Sequence, residues 1–263
     1  MRTARPGIPA LLFLLCLAIP AKAVRSPTGT NLEEINQHQV GASAALLLGD
    51  HMLLKPGRYG VSGHVFLSGW GSDSLYGAWG LSAQAGFGPN LSAGFSYGFT
   101  DAQLHTQYWL LNFRYSPLAG PDPWLNLQAA AGHQFLNASD SGNVLIFQFD
   151  DPWPVQPDNP QILLDDMNWT HGYLNVLASP LFWRFRPQVS LGYVFSHYAW
   201  AGHQVIQAFG GPETGPALSD SGDIGTWIWT LGLGLDLGPV RPFVGMESFE
   251  SSGLFLARMT IVF

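Results

Sequence analysis

Nucleophilic catalysis needs a serine or cysteine within reach of a histidine base, and this chain offers two Ser/His juxtapositions. Ser62 and His64 are two residues apart, which on a β-strand places both side chains on one face. Val61, Val65 and Leu67 would form the opposite, apolar face of that strand, so Ser62 and His64 would point to the polar side. Ser196 and His197 are adjacent and would point to opposite faces, which argues against a dyad there. Any polar strand face containing Ser and His produces such pairs by chance. The reading of Ser62 and His64 is therefore that of ordinary polar residues, with catalysis at this pair as the alternative.

Cation binding needs several hard oxygen ligands. Asp140, Asp150, Asp151, Asp158, Asp165 and Asp166 fall in a stretch with no Lys or Arg between Asn137 and Thr170, and Glu213, Asp220 and Asp223 fall in a second. The pairs Asp150/Asp151 and Asp165/Asp166 could contribute to a Ca²⁺ site, but the spacing matches no Ca²⁺ loop such as the EF-hand. The expectation is a solvated acidic surface without a resident metal or other cofactor. A third set, Asn112, Arg114, Asn126, Gln128, Asp236, Arg241, Glu247 and Arg258, consists of ions and amides that alternate with apolar or small neighbours. Such residues either pair across an interior or line a solute path.

The composition says what kind of element positions these groups. The 263 residues are 47% hydrophobic but only 11% charged, with 31 Gly and 13% aromatics. No apolar run of about 18 residues occurs beyond the N-terminus, which excludes a bundle of transmembrane helices. The aromatic content excludes a disordered chain, and the net charge of −7 argues against a nucleic-acid binder. An apolar, Gly-rich and aromatic-rich chain without long apolar runs has the composition of a transmembrane β-barrel, in which apolar residues alternate with small polar ones.

Residues 1–23 read as a cleavable signal peptide: Arg2 and Arg5 precede the apolar Ala10–Ile19, and Ala21-Lys22-Ala23 is an A-x-A cleavage signature. Cleavage after Ala23 removes three cations, taking the formal charge from −7 to −10, together with Cys16, the only cysteine. The mature chain then has neither disulfides nor thiolate metal sites.

At the other end, Phe255, Ala257, Met259, Ile261 and Phe263 share one strand face, with Arg258 and Thr260 on the other. A strand of this kind closed by a terminal aromatic resembles the assembly signal of Gram-negative outer-membrane β-barrel proteins. The resemblance extends to the export signal and to the strand pattern over most of the mature chain, and it is specific to the architecture. It implies outer-membrane localisation, contact with outer-membrane lipid and lipopolysaccharide, and recognition of Phe255, Met259, Ile261 and Phe263 by the barrel-assembly machinery. Outer-membrane lipid hydrolases of the phospholipase and lipid A deacylase kinds carry His-x-Ser; this chain has only the reverse order, at Ser62 and His64.

Period-two alternation is clearest at Trp227–Leu237, where Trp227, Trp229, Leu231, Leu233, Leu235 and Leu237 alternate with Ile228, Thr230, Gly232, Gly234 and Asp236. Similar alternation recurs at 81–87, 91–99, 125–135 and 189–195. Turn signals bound about ten strands, near 60–70, 75–87, 91–99, 104–115, 124–136, 169–179, 187–199, 224–237, 240–249 and 254–263, with eight or twelve as alternatives. The resulting fold class is all-β, an antiparallel up-and-down barrel with both termini periplasmic and long loops at 137–168 and 201–222, the apolar run Val144–Phe149 in the first loop marking either an interaction site or an extra hairpin. A hairpin tipped at Gly238-Pro239 would pair Asp236 with Arg241. One tipped near Ser251-Ser252 would pair Gly245 with Arg258, leaving Glu247 and Arg258 as diagonal neighbours.

Residues 24–59 fit this scheme poorly, and the expectation is a periplasmic or lumen-inserted segment ahead of a barrel at 60–263. Inward glycines such as Gly86, Gly94, Gly98, Gly192, Gly232 and Gly234 leave lumen volume that this segment could fill. The expected activity is a narrow channel or a transporter of small or hydrophobic solutes. A sealed structural or surface-interaction barrel, and a lipid-modifying hydrolase, are the alternatives.

Overall fold

A computed structural model describes residues 30–31, 35–36, 39–41, 53–70, 77–101, 104–118, 120, 122–147, 161–208, 211–249 and 252–263. The proposed signal peptide, most of Val40–Leu48 and the pair Asp150/Asp151 lie outside them. The strands are β1 (Thr30–Asn31), β2 (Tyr59–Trp70), β3 (Gly77–Gly88), β4 (Leu91–Asp101), β5 (His105–Tyr115), β6 (Leu125–Leu136), β7 (Val144–Phe147), β8 (Gln161–Ala178), β9 (Phe185–Ala208), β10 (Gly211–Leu235), β11 (Val240–Phe249) and β12 (Ser252–Val262).

Ten of these close on themselves. Each of β2 to β5 pairs antiparallel with the next, β6 pairs with β8, β8 to β12 pair in succession, and β12 returns to β2. One path of paired residues runs Gly234, Phe243, Arg258, His64, Gly80, Gly98, Tyr108, Gln134, Trp169, Tyr198 and Gly222. It returns to β10 twelve residues from its start, which is the stagger that tilts the strands of a closed barrel.

Alternation decides what faces where. Trp79, Leu81, Phe95, Leu111, Phe113, Leu191, Trp229, Leu231 and Leu233 are exposed on the outer wall, while Ser82, Gln84, Ser96, Asn112, Gln128, Asn175, Ser190 and Thr230 are buried inside. A slip of one residue would turn these polar groups into lipid, where an Arg at the midplane costs about 2–4 kcal/mol. At one end the connections are tight, as at Pro89-Asn90 and Gly238-Pro239, and exposed Tyr59, Phe87, Tyr115, Trp124, Trp183 and Phe263 ring it. The β8–β9 connection there turns on Trp183, at φ 57, with the Arg184 guanidinium 5.3 Å from its ring centroid. We call this the turn end and the opposite one the loop end.

Three strands run far past the roughly 9–11 residues needed to cross a bilayer: β8 has 18 residues, β9 24 and β10 25. This corrects the expectation of a loop at 201–222, because β9 and β10 stay paired from Phe185 with Leu235 to Ala208 with Gly211. The only break lies between Thr214 and Ala217, around Pro216, which has no N–H to give the ladder. The apolar run inside the acidic stretch forms β7, which pairs with the projecting part of β8 and takes β1 alongside in parallel.

A second correction concerns register. Gly245 pairs with Leu256, and Arg258 pairs with Phe243. The β11–β12 hairpin has a two-residue connection, with Phe249 opposite Ser252, so the pairing moves by two residues. Both faces are preserved, yet Glu247 now sits opposite Leu254, and Glu247 and Arg258 are not the diagonal neighbours expected.

Candidate functional site in the barrel lumen

The interior divides into three levels. At mid-height, Tyr108 on β5 lies across the neighbouring strands. A Cβ on Gly98 or Gly80 would collide with its hydroxyl, which contacts His64 Nε2 at 3.2 Å and donates to the Trp79 carbonyl at 3.3 Å. Phe243 covers Gly232 and Gly245 in the same manner, and Asn175 covers Gly192 while donating to Gln128 Oε1 at 2.7 Å. These glycines are not empty volume, which corrects the accounting by residue size: each is the socket for a larger neighbour. The gap beside Asn112, Arg114, Gln128, Tyr173 and Asn175 measures about 10 Å³, room for about one water.

Ser62 and His64 are buried at this level, each with its own partner. Ser62 Oγ lies 2.8 Å from Thr260 Oγ1, while His64 takes Tyr108 and stacks on Phe66 at 5.6 Å. The hydrogen bond a Ser/His dyad requires is not among these contacts.

At the loop end, residues 35–36 and 39–41 are helical and enter the interior. Ile35 and Val40 are buried in the cluster that contains Leu104, Ile146, Ile162, Leu164, Met167, Trp169 and Trp200. Asn36 Oδ1 accepts from Trp169 Nε1 at 2.7 Å. Gln39 Oε1 accepts from Thr100 Oγ1 at 3.0 Å, Thr106 Oγ1 at 3.1 Å and Gln134 Nε2, and its own amide donates to the Leu104 carbonyl at 3.3 Å. Gln134 Oε1 in turn contacts His171 Nε2 at 3.1 Å. Sequence reasoning allowed a lumen-inserted segment at 24–59 but did not single out Asn36 and Gln39, because their donors and acceptors lie on strands 61 or more residues away.

At the turn end, a cavity of about 530 Å³ is lined by Lys55, Arg58, Asp122, Arg186, Asp236, Arg241 and neighbouring apolar residues. Arg186 donates to Asp122 at 2.6 Å and to the Ser179 carbonyl at 3.1 Å, and Arg241 lies 3.5 Å from Asp236.

Of the residues singled out from sequence, Asn112, Arg114, Asn126, Gln128, Glu247 and Arg258 are buried, and Asp236 and Arg241 sit half-buried in the turn-end cavity. Phe255 and Phe263 are exposed on the outer wall, with Met259 and Ile261 half-buried on the same face. Asp165 pairs with His203 at 2.5 Å, and Asp166 is exposed at a β8 bulge. Two further His/Asp pairs, His105 with Asp140 at 2.9 Å and His197 with Asp223 at 2.8 Å, occupy the loop end. The described cations lie at mid-height or toward the turn end, so charge is polarised along the barrel axis.

A closed antiparallel barrel with an apolar aromatic outer wall and a polar interior has the architecture of a transmembrane β-barrel. Solved structures similar to it include the autotransporter NalP translocator domain from Neisseria meningitidis, at 11% identity over 88% of this chain and 95% of that one with a TM-score of 0.46. The outer membrane protease OmpT from Escherichia coli matches at 9% identity over 81% and 97%, with a TM-score of 0.40. The KdgM porin in complex with disordered oligogalacturonate matches at 7% identity over 77% and 98%, with a TM-score of 0.37. At these identities no residue's role carries across. No protein-family model matches the sequence, and neither does any curated protein.

Proposed function

We propose that this protein is a narrow outer-membrane channel held closed by its own N-terminal segment, with residues 24–59 as the plug and 60–263 as the barrel. The observation that carries the reading is the Gln39 side chain, which joins a segment outside the barrel ladder to β4, β5 and β6 through Thr100, Thr106 and Gln134. A loosely held segment would leave those buried groups to water, whereas here they form one network. The packing of Tyr108, Arg114 and Trp169, all essentially inaccessible to solvent, supports a closed resting state.

By the usual asymmetry of such barrels, the tight turns, with Phe263 beside them, face the periplasm and the projecting β8–β10 strands face outward; Thr30–Asn31, alongside β7 on the projecting part of β8, then stand at the outward end and not with Phe263. The outward face of Phe255, Met259, Ile261 and Phe263 is then the feature the assembly machinery reads. A surface role is the second reading, favoured by the acidic β9–β10 projection with Glu213, Asp220 and Asp223, which would face lipopolysaccharide and its divalent cations.

Planar-bilayer conductance of the refolded mature chain tests the channel reading. The full mature chain should conduct rarely, and deletion of Val24–Leu54 should raise conductance without abolishing insertion. A truncated barrel that inserts and conducts no better than the full chain would remove the plug from the account.

A further inference from the structure

The turn-end cavity has an excess of fixed positive charge. Four cations, Lys55, Arg58, Arg186 and Arg241, and two carboxylates, Asp122 and Asp236, are among its lining residues. The two carboxylates are engaged by Arg186 and Arg241. Lys55 and Arg58 have no ion pair among the described residues, and both are exposed at the mouth. Deeper in, Arg186 is 6% exposed, and its Nε is a buried donor without a hydrogen-bond partner even though both terminal nitrogens are committed to Ser179 and Asp122. A native interior rarely leaves such a donor idle.

The backbone fixes these charges in place. The turn at Lys55–Arg58 passes through Gly57 at φ 72, a conformation glycine adopts without cost. It is tied to β3 by Gly57 N–H to the Gly86 carbonyl at 3.2 Å and by Gly86 N–H to the Arg58 carbonyl at 3.0 Å. A Cβ at Gly86 would strike the Lys55 carbonyl oxygen, so the glycine is what lets this turn lie against the wall. The result is a cavity within the usual 300–1,000 Å³ range of small-ligand sites, with two exposed cations at its rim and an oriented guanidinium at its side.

We infer that the turn-end cavity is a binding site for a small multivalent oxyanion, carboxylate or phosphate in type, held between Arg186 and the rim cations Lys55 and Arg58. The Arg58 guanidinium fork matches both anion types, Arg186 adds its charge and its unpaired Nε donor, and two net positive charges favour a ligand with at least two negative ones. The inference stands apart from the plug reading, since equilibrium binding at this end requires no conduction.

Isothermal titration of the refolded mature chain in detergent, at constant ionic strength, tests it with inorganic pyrophosphate and malate as the two probes and acetate as the monovalent reference. Pyrophosphate or malate should bind at least about tenfold tighter than acetate, and whichever is tighter identifies the anion type. Lys55→Glu with Arg58→Glu should weaken that binding by about tenfold or more while the heat-modifiable barrel is retained, because both side chains are exposed. Arg186→Gln should weaken it as well, and added salt should weaken it in the unaltered chain. Probes that bind no tighter than acetate, or an affinity unchanged in the double rim variant, would overturn the assignment. Conductance does not enter either outcome, so failure here and failure of the plug are read separately.

Discussion

Gln39 and Gln134 are 95 residues apart in the chain and share a hydrogen bond inside the barrel, where Gln39 Oε1 is also the acceptor for two threonine hydroxyls. One side chain thereby accepts from three buried donors of the wall. Gln39→Leu keeps the bulk and removes the acceptor, leaving the three donors only the contacts they make among themselves, Thr100 Oγ1 with Thr106 Oγ1 at 2.6 Å and Gln134 Nε2 to Thr106 Oγ1 at 2.6 Å. Unfolding in detergent and urea should show a loss of about 1–3 kcal/mol, and limited proteolysis should cut the N-terminal segment sooner. Unchanged stability together with unchanged protection would mean that the network is incidental.

Tyr108 and Gly98 form a socket, and the pair should behave as a unit. Gly98→Ala forces a Cβ into the Tyr108 ring, and Tyr108→Ala opens a cavity at a cost of about 3–5 kcal/mol. Combined, the clash with Tyr108 disappears and only the close approach of the new Cβ to the Trp79 carbonyl oxygen remains, so the double variant should be more stable than the sum of the single losses allows. Strict additivity in the denaturation midpoints would contradict the packing.

Glu247 is buried with both carboxylate oxygens lacking a hydrogen-bond partner among the described residues. Glu247→Gln should leave stability unchanged or increase it, since it replaces an ionisable carboxyl that has no hydrogen-bond partner while keeping the shape. With Phe243 opposite Arg258 and Leu254 opposite Glu247, a double-mutant cycle between Glu247 and Arg258 should be additive within about 0.5 kcal/mol. A coupling well above that would restore the register expected from the turn residues.

Phe263 closes the seam between the last strand and the first. Its backbone donates to the Tyr59 carbonyl at 2.8 Å and accepts from Tyr59 N–H at 3.4 Å, while its ring is exposed on the outer wall. Phe263→Lys preserves the backbone and places a charge at the lipid boundary. The variant should be exported yet poorly inserted, as read by heat-modifiable mobility in outer-membrane fractions; normal insertion would deny the residue an assembly role.

Strand order and facing were legible because lipid enforces alternation: Trp227 to Leu235 could pair only with the apolar residues outward. That constraint ends where the bilayer ends. Residues 201–208 and 211–222 are paired strands rich in small and polar residues with two prolines, and without an apolar medium to select one face they read as loop. Turn length was equally hidden, since a hairpin shift of two residues preserves every face and moves Arg258 from Gly245 to Phe243. Parity found the interior set, Asn112 to Arg258. It missed Gln39, whose place depends on tertiary threading, and Lys55, Arg58 and Arg186, which lie at the ends of elements where alternation stops.

Proximity labelling inside the folded barrel tests the account most directly. If Cys16 is removed with a signal peptide, the mature chain contains no cysteine, so introduced thiols are unambiguous. Gln39→Cys with Gln134→Cys should be joined by a short thiol-to-thiol cross-linker in the refolded mature barrel, detected as a peptide linking the two regions after digestion. Gln39→Cys with His133→Cys, whose side chain lies on the other face of β6, should not. Equal cross-linking of both pairs, or of neither, in a barrel that retains heat-modifiability would contradict a segment held in the lumen.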